Sequence, residues 1–333
     1  IWSLQSEVSK LTTALRELTE KCRPYLEALK IAPQKVKEFI SGILEKFKKQ
    51  EKSIYYESIS AFPAYLYKRF VGHKVKLCIH YHEYMTPAEY CRPGMRLSKL
   101  NHSLETSYLY HVATWVSQTN QYRREFFMNV EPQLSECVCH ILPNYPPASW
   151  FRKRKLHANE IVKCVYVGSL SLTDTYVLEF CQWIAKQHGK VLFDIYSFNF
   201  HKNTLDAIEK LQCPYIEFHK EGIKYSEIPD LFDRYDVGVL LYKAKTMNFK
   251  YNETNKFYEY LISGLDVWYP KEMTLLHEMD KSVFAPQIVE MDITQGLFPN
   301  VELSPREVDN SSYDRFSEGV YESFMQFLDM QQG

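Results

Sequence analysis

One short segment of the chain carries residue types that can bind a nucleotide. Thr254 is a favourable helix N-cap and Gly264 a favourable C-terminal stop, so we expect a helix between them. Asn255, Lys256 and Glu259 share one face of this helix. A helix N-terminus beside an ammonium group attracts a diphosphate, and a carboxylate one turn further on can accept hydrogen bonds from both hydroxyls of a ribose. The alternative is a surface helix with a Lys256–Glu259 ion pair worth roughly 0.2–0.5 kcal/mol.

A second candidate is the turn that follows a predicted strand over 161–167. Gly168 occupies this turn, within Val167-Gly-Ser-Leu170. Glycine at the carboxyl end of a first parallel strand allows a ligand to approach the backbone closely. Such turns also need glycine for purely structural reasons, and the single residue does not separate the two interpretations.

A third candidate lies at the end of a predicted strand over 75–81. His80 and His82 point to one side of the strand end, and His82 and Glu83 fall at its carboxyl end, where ligands of parallel sheets bind. A histidine there can orient a hydroxyl or take a proton. A metal site would need a third ligand, which the neighbouring sequence does not offer. In Cys137-Val-Cys139-His140 the side chains alternate faces, which favours a buried free thiol.

Strands and helices alternate along most of the chain, which predicts parallel sheets with right-handed crossovers. In the first half we expect strands over 53–57, 75–81, 114–117 and 139–142, and helices over 61–70, 97–110 and 121–127. In the second half we expect strands over 161–167, 190–196, 215–218, 237–241 and 266–268, and helices over 175–187, 203–210, 226–234 and 255–263. The second set indicates a doubly wound domain.

A proline-rich turn and a basic stretch separate the two halves. Pro143-Asn-Tyr-Pro-Pro147 and Arg152-Lys-Arg-Lys155 have the composition of an interdomain linker. We therefore expect an N-terminal domain over 1–147, a C-terminal ligand-binding domain over 160–312, and a final helical segment over 313–333 that packs back across the junction.

Composition narrows the class of protein. The chain has 333 residues, enough for two domains, with 45% hydrophobic and 24% charged residues. The net charge of −1 gives no support to nucleic acid as a partner. Eight cysteines without framework spacing predict reduced thiols in a cytoplasmic protein. No apolar run approaches the length needed to cross a bilayer.

The order of these segments resembles the GT-B glycosyltransferases, particularly the retaining family 4 (group 1). The resemblance extends from about Ser53 to Met279, and its Asn-Lys…Glu-Tyr-Leu…Gly motif is fairly specific. The matching segments are Ile79-His-Tyr-His-Glu83, Ile141-Leu-Pro-Asn144, Val165-Tyr-Val-Gly-Ser-Leu170 and Thr254-Asn-Lys-Phe-Tyr-Glu-Tyr-Leu-Ile-Ser-Gly-Leu-Asp-Val267. The resemblance implies two Rossmann-like domains facing across a cleft.

The resemblance also implies a role for each candidate residue. Glu259 would bind the ribose of the donor from an accessible position in the cleft, and Asn255 and Lys256 would lie at its phosphates. Gly168 and Ser169 would allow the diphosphate or the acceptor to approach the backbone closely. His219 and the residues up to Gly222 would lie along the base. His82 and Glu83 would be the catalytic residues beside the reacting sugar.

The chain departs from the family pattern at several positions. Ser169 and Thr173 stand where the family often has Arg and Lys on the diphosphate. The first acidic residue of the usual pair falls at Tyr251, and Asp266 replaces a usual proline. The first strands and the Gly-rich acceptor loop have no counterpart, so the N-terminal domain is incomplete unless they precede Ile1. These departures indicate an unusual donor or weakened activity.

We therefore expect a glycosyltransferase that moves a sugar from a nucleotide-sugar donor to a glycan or lipid-linked acceptor in cell-surface polysaccharide synthesis, with retention of configuration. We expect no cofactor, and no metal, because the helix N-terminus and Lys256 neutralise the leaving diphosphate electrostatically. The alternatives are a GT-B-shaped binding or scaffold protein without turnover and, less favoured, a sugar-nucleotide epimerase of the same fold.

A contact with the inner face of the membrane is a further alternative. The predicted helix over 33–52 combines an apolar stripe containing Phe39, Ile43 and Phe47 with a lysine-rich face, a pattern that can lie on anionic headgroups. We favour the simpler interpretation that this stripe packs on a sheet, because three glutamates dilute the positive charge.

Overall fold

The computed structural model of the protein describes the chain in nine stretches, and everything below refers to these. They are residues 53–56, 60–70, 73, 75–131, 134, 138–156, 161–301, 306–308 and 313–330. The chain divides into two compact units, and the boundary lies between Leu142 and Pro143. The helix predicted over 33–52 lies outside the described residues.

The first unit contains a four-stranded parallel sheet in the order β1-β2-β3-β4. Its strands are β1 (Ser53–Tyr56), β2 (Lys76–Tyr81), β3 (Trp115–Gln118) and β4 (Cys139–Ile141). Strands β2 and β3 are almost wholly buried, as expected for a parallel sheet covered on both faces, although β2 carries His80 and β3 carries Gln118.

Helices of the first unit cross between these strands. They are α1 (Ala61–Phe70), α2 (Pro87–Tyr90), α3 (Arg96–Leu104), α4 (Tyr110–Val112) and α5 (Gln121–Val130). A π-helical turn, Glu105–Leu109, separates α3 from α4. The single helix predicted over 97–110 is therefore interrupted, and buried Glu105 accepts a hydrogen bond from the Tyr81 hydroxyl at 2.9 Å.

The second unit is built on a six-stranded parallel sheet in the order β11-β10-β9-β6-β7-β8. Its strands are β6 (Val162–Val167), β7 (Val191–Tyr196), β8 (Ile216–His219), β9 (Val237–Val239), β10 (Asp266–Pro270) and β11 (Ile288–Met291). Numbered within the unit, this is the dinucleotide-binding order 3-2-1-4-5-6. The strand order reverses between β6 and β9, and ligands of such sheets bind outside the carboxyl ends of the strands at that point.

Helices cover both faces of this sheet. They are α6 (Val177–Ala185), α7 (Lys202–Glu209), α8 (Ile228–Phe232), α9 (Met247–Lys250), α10 (Asn255–Ile262), α11 (Thr274–Glu278) and α12 (Ser317–Met330). One buried core joins α8, α10 and α11 to the sheet, and a second joins α6 and α7 to its other face. The continuous apolar strands follow from this double coverage.

Helix α10 packs unusually close to strand β9. A Cβ atom added at Gly238 would lie 2.1 Å from the Tyr260 ring, so only glycine allows the helix to approach the strand this closely. The contact fixes the position of α10, and with it the position of Lys256 and Glu259.

The predicted linker is wrong in one respect. Strand β5 (Arg154–Leu156) lies within the basic stretch and pairs antiparallel with β12 (Arg306–Val308). Its partner is more than a hundred residues away, so local composition could not indicate the pairing. Helix α12 contacts the start of the second unit, where the Ser317 amide donates to the Pro146 carbonyl at 3.0 Å.

Most of the predicted elements are present within a few residues of the expected bounds. The short helices α2, α9 and α11, strand β11 and the β5–β12 pair were not predicted. In the described part of the chain, no helix is both long and apolar enough to span a membrane.

Candidate functional site

Helix α10 begins where the sequence predicts, with the expected cap. The Thr254 hydroxyl accepts a hydrogen bond from the Lys256 amide at 3.3 Å, and Gly264 ends the helix with φ +74°. Asn255 is exposed at the first helical position. The amides of this first turn, together with the Lys256 ammonium, form a positively polarised end suited to an anion.

Glu259 is buried, with 1% of its side chain exposed. The expectation that it is accessible is wrong, and so is the surface-helix alternative, because residues 257–262 are buried all round the helix. Its Oε2 accepts a hydrogen bond from Lys256 Nζ at 2.7 Å, while Oε1 has no hydrogen-bond partner among the described residues. A buried carboxylate oxygen without a donor is costly, and ribose hydroxyls would supply the missing donors.

Tyr225 is a neighbour of this carboxylate that the sequence did not reveal. Burial raises the pKa of its phenol well above the ordinary value, and the charge of Glu259 raises it further. The Tyr225 ring also packs against Trp150, with 4.6 Å between the ring centroids. Tyr225 lies in the segment after β8, and no pattern in that segment singles it out.

The turn after β6 depends on its glycine. Gly168 adopts φ +155°, and a Cβ there would lie 3.3 Å from the Tyr166 hydroxyl. That hydroxyl donates to the Ser169 carbonyl at 2.8 Å, and this hydrogen bond stabilises the turn. Ser169 is exposed, and its Oγ accepts from Asn199 Nδ2 at 3.2 Å. The backbone here is open to a ligand at the switch point of the sheet.

A cation reaches this turn from the segment after β9. Lys243 Nζ donates to the Leu172 carbonyl at 2.9 Å and pairs with Glu179 at 3.0 Å. The resemblance would place a lysine in the turn itself, where Thr173 stands, whereas Lys243 comes from the segment after β9, on the other side of the switch point. A lysine in the short segment after the central strand β9 was the available signal for this residue.

His219 is the last residue of β8, at the edge of the sheet. Its imidazole stacks on Tyr196 with 4.1 Å between ring centroids and an angle of 8°. Asp194 and Glu217 lie beside it on the same face of the sheet. Its expected contact with a base stays a prediction.

The histidine pair of the first unit is brought together as predicted. His80 is fully buried, its Nδ1 lies 2.9 Å from Ser117 Oγ, and its ring packs edge-to-face on His82 with centroids 4.3 Å apart. Burial lowers the pKa of His80 well below the ordinary value, and the charges of His82 and Arg123 lower it further. His80 is therefore neutral at physiological pH.

His82 and Glu83 lie exposed just after β2, at its carboxyl end. The Arg123 guanidinium holds this bend, donating to the His82 carbonyl at 3.0 Å and to Thr119 Oγ1 at 2.8 Å. Both predicted catalytic side chains are thus accessible, and the hydrogen bond from Arg123 holds the backbone at His82 in place. The structure does not test their role.

The cysteine–histidine stretch behaves as the simpler interpretation predicts. Cys139 is a buried free thiol, and burial raises its pKa to about 11. His140 stacks on Trp115 with 3.8 Å between centroids. Cys137 lies outside the described residues. Among the described residues, neither this stretch nor the His80–His82 pair belongs to a three-ligand cluster.

Solved structures identify the fold, whereas sequence comparisons do not. No protein-family model and no curated protein matches the chain. HepE of Anabaena, solved with UDP and glucose, is similar over 88% of this chain and 82% of its own, with TM-score 0.62 and 11% identity. The chain therefore has the GT-B fold, with two Rossmann-like domains, as predicted.

Two further neighbours share this fold. The UDP-forming α,α-trehalose-phosphate synthase of Burkholderia xenovorans, solved with glucose-6-phosphate, is similar over 87% of this chain and 76% of its own, with TM-score 0.58 and 11% identity. The lipopolysaccharide outer core galactosyltransferase WaaB, in its apo form, is similar over 89% of this chain and 81% of its own, with TM-score 0.54 and 11% identity. These neighbours are glycosyltransferases.

Proposed function

We propose that the protein is a glycosyltransferase that moves a sugar from a nucleotide-sugar donor to a glycan or lipid-linked acceptor. The observation that carries the proposal is Glu259. Its carboxylate is buried beside Lys256, and one of its oxygens has no hydrogen-bond donor among the described residues. An arrangement this costly is accounted for if the hydroxyls of a bound ribose complete it.

The donor's diphosphate would bind where three features meet. The N-terminus of α10 supplies backbone amides at Asn255 and the Lys256 ammonium, both suited to negative charge. Gly168 and Ser169 leave open backbone after β6. In this proposal the base lies along His219 and the residues that follow it, on the outer strand β8.

Departure of the nucleoside diphosphate would be assisted electrostatically. Lys256 and the α10 N-terminus stabilise the charge that develops on the leaving phosphate, so the reaction needs no metal ion. Lys243 adds a cation at the same switch point in place of the family's lysine. His82 and Glu83 are the proposed catalytic residues of the first unit, with His82 beside the reacting sugar.

Family 4 membership, retention of configuration and a place in polysaccharide synthesis are parts of the same proposal. They rest on the motif spacing described above and on the shared fold. Proton NMR of the first product formed from an α-linked donor tests retention: an α-linked product supports it, and a β-linked product contradicts it.

A GT-B-shaped binding protein without turnover is the second candidate. It is favoured by the turn after β6, which carries Ser169 and Thr173 where the family has cations. The neighbouring Asp174 adds a carboxylate to that turn, which accepts from Ser171 Oγ at 2.7 Å. Negative charge at this position weakens a diphosphate site unless Lys243 offsets it.

One assay separates the two candidates. The protein is incubated with UDP-sugars, because UDP occupies the HepE neighbour, and then with ADP- and GDP-sugars, while release of free nucleoside diphosphate is measured with and without candidate glycan acceptors. Acceptor-stimulated release supports the transferase. Tight nucleotide binding without release from any donor supports the binding protein, and neither binding nor release contradicts both.

We also propose that the protein works in the cytoplasm, because its eight cysteines lack framework spacing. Contact with the inner face of the membrane through the lysine-rich pattern over 33–52 is the less favoured alternative. Sedimentation with anionic vesicles that high salt abolishes would agree with this location. Sedimentation of equal amounts of the protein with neutral and with anionic vesicles would contradict it.

A further inference from the structure

Two carboxylates and an imidazole meet on one face of the sheet at strands β7 and β8. Asp194 pairs with Glu217 in the strand register, and Tyr196 pairs with His219 two residues further on. Side chains two residues apart on a strand share a face, so Asp194, Glu217 and His219 point to the same side. One ligand atom from each of these three residues lies within 4.8 Å of the other two.

The imidazole is held without a hydrogen bond of its own at Nε2. This atom is screened from solvent and has no hydrogen-bond partner among the described residues. The nearby Glu217 Oε1 is 3.7 Å away, which is too far for a hydrogen bond. A simple His219–Glu217 ion pair therefore leaves Nε2 both desolvated and unbonded, and this cost needs another explanation.

Two tyrosines hold the side chains of Asp194 and His219 in place. The Tyr235 hydroxyl donates to Asp194 Oδ2 at 2.5 Å, and Tyr196 stacks flat against the His219 ring. The two hydroxyls lie 3.2 Å apart, which links these supports into one network. Second-layer contacts that fix the orientation of a carboxylate and a histidine are a regular feature of metal sites.

We propose that Asp194, Glu217 and His219 bind a divalent transition-metal ion such as Zn²⁺. Imidazole with carboxylates suits such ions, whereas Mg²⁺ prefers an all-oxygen shell. Metal–ligand distances of about 2.0–2.2 Å bring the ligand atoms of a tetrahedral site to about 3.4 Å from each other. Small side-chain rotations reach this arrangement, and Glu217, whose side chain is 71% exposed, is free to make the largest of them.

The ion would stabilise the edge of the sheet. It ties β8, which pairs with β7 alone among the described strands, to its neighbour just before the segment that follows His219. None of the three ligands belongs to α10 or to the turn after β6. The proposal therefore assigns the ion to stability and placement of β8. His219 also lies along the proposed position of the base, so the binding test below is carried out without nucleotide.

Calorimetric titration of the metal-free full chain with Zn²⁺, without nucleotide, tests the site. We expect one equivalent to bind, and we expect the double variant E217Q/H219Q to lose more than about 100-fold in affinity. The matched control H277Q/E290Q removes a second imidazole–carboxylate pair of the same unit, in contact at 2.5 Å, and should bind as the wild type does. No stoichiometric binding, or equal affinity in E217Q/H219Q, overturns the proposal.

A milder variant covers the case in which E217Q/H219Q does not fold. Y235F keeps all three ligands and removes only the hydroxyl that orients Asp194. We expect it to weaken Zn²⁺ binding about tenfold and to lower the stabilisation that Zn²⁺ gives in thermal unfolding. Unchanged affinity in folded Y235F counts against the site.

Discussion

At the scale of single residues, the proposed function assigns different parts of the donor to Lys256 and Glu259. Both lie in the first turns of α10 and contact each other at 2.7 Å, but their chemistry suits different parts of a nucleotide. The ammonium is a point charge for phosphate oxygens, and the carboxylate is an acceptor for hydroxyls. Substitution at each position should therefore affect different ligands.

Replacement of Lys256 by Met should weaken a nucleoside diphosphate far more than the corresponding nucleoside. Loss of a charged hydrogen bond costs about 1.5–3 kcal/mol, or roughly 10- to 100-fold in affinity. Titration of the folded variant with both ligands measures this. Lys250→Met, an exposed lysine on the neighbouring helix α9, is the control and should change neither affinity. Equal losses for nucleoside and diphosphate in K256M would contradict the assignment.

His80 should make the stability of the protein depend on pH. Its folded pKa lies well below the ordinary 6.5, so below pH 6.5 the unfolded chain takes up a proton that the folded chain refuses. The contribution is present at neutral pH and is lost as pH falls from 6.5 towards the folded pKa, by at most about 1.4 kcal/mol per pH unit.

Denaturant unfolding at several values between pH 7.5 and pH 5 measures this effect. His80→Asn retains a group that can bond to Ser117 but removes the titration, so its stability should fall less steeply with acid. The solvent-exposed His111→Asn should retain the wild-type slope. Identical slopes in H80N and the wild type would show that the pKa of His80 is not lowered in the folded protein.

At the scale of elements, Gly238 determines how close α10 can lie to the sheet. Gly238→Ala puts a methyl group 2.1 Å from the Tyr260 ring, which neither the strand nor the buried helix can avoid without moving. Overpacking of this kind costs about 1–3 kcal/mol or more. The shift should also weaken nucleotide binding, because Lys256 and Glu259 move with the helix.

Gly319→Ala is the matched control within helix α12. Nothing lies within 4 Å of a Cβ at Gly319, so alanine should raise the unfolding free energy by roughly 0.5–1 kcal/mol through helix propensity. Thermal unfolding of both variants gives the comparison. Equal stability of G238A and the wild type would show that α10 has room to move.

Elements with strong apolar runs could be predicted from the sequence, and elements made by distant pairing could not. The buried strands β6 and β7 and helix α10 carry their own patterns and caps, and they lie where expected. Strand β5 depends on β12 and has no apolar run of its own. The burial of Glu259 was also missed, because a helical face with Lys and Glu ordinarily predicts solvent exposure.

At the scale of the whole molecule, the fold was predictable because motif order survives where identity does not. The solved neighbours are only about a tenth identical to this chain, yet they share its fold. The site is less predictable, because side chains after different strands meet at the switch point. Lys243 reaches the turn after β6 in this way, and linear spacing does not show such proximity.

Metal removal should separate stability from turnover. The proposed ion on β7 and β8 touches neither α10 nor the turn after β6, and in the proposed function the leaving diphosphate is stabilised by protein groups alone. In chelator the midpoint of thermal unfolding should fall while most of the transferase activity persists. Activity that disappears in chelator and returns with a divalent ion would contradict metal-free catalysis.

The most direct test of the central claim is nucleotide binding by three forms of the protein: wild type, Glu259→Gln and Glu278→Gln. Glu278 is an exposed glutamate at the end of α11 and serves as the matched control. A nucleoside diphosphate at a hundred times its Kd should stabilise the wild type and E278Q by about 2.7 kcal/mol in thermal unfolding. E259Q should fold but gain far less, because glutamine offers the ribose hydroxyls one neutral acceptor oxygen in place of two charged ones, and its amide nitrogen donates instead of accepting. If E259Q is stabilised as much as the wild type, or if no nucleoside diphosphate stabilises any form, Glu259 is not a donor-binding residue and the account fails.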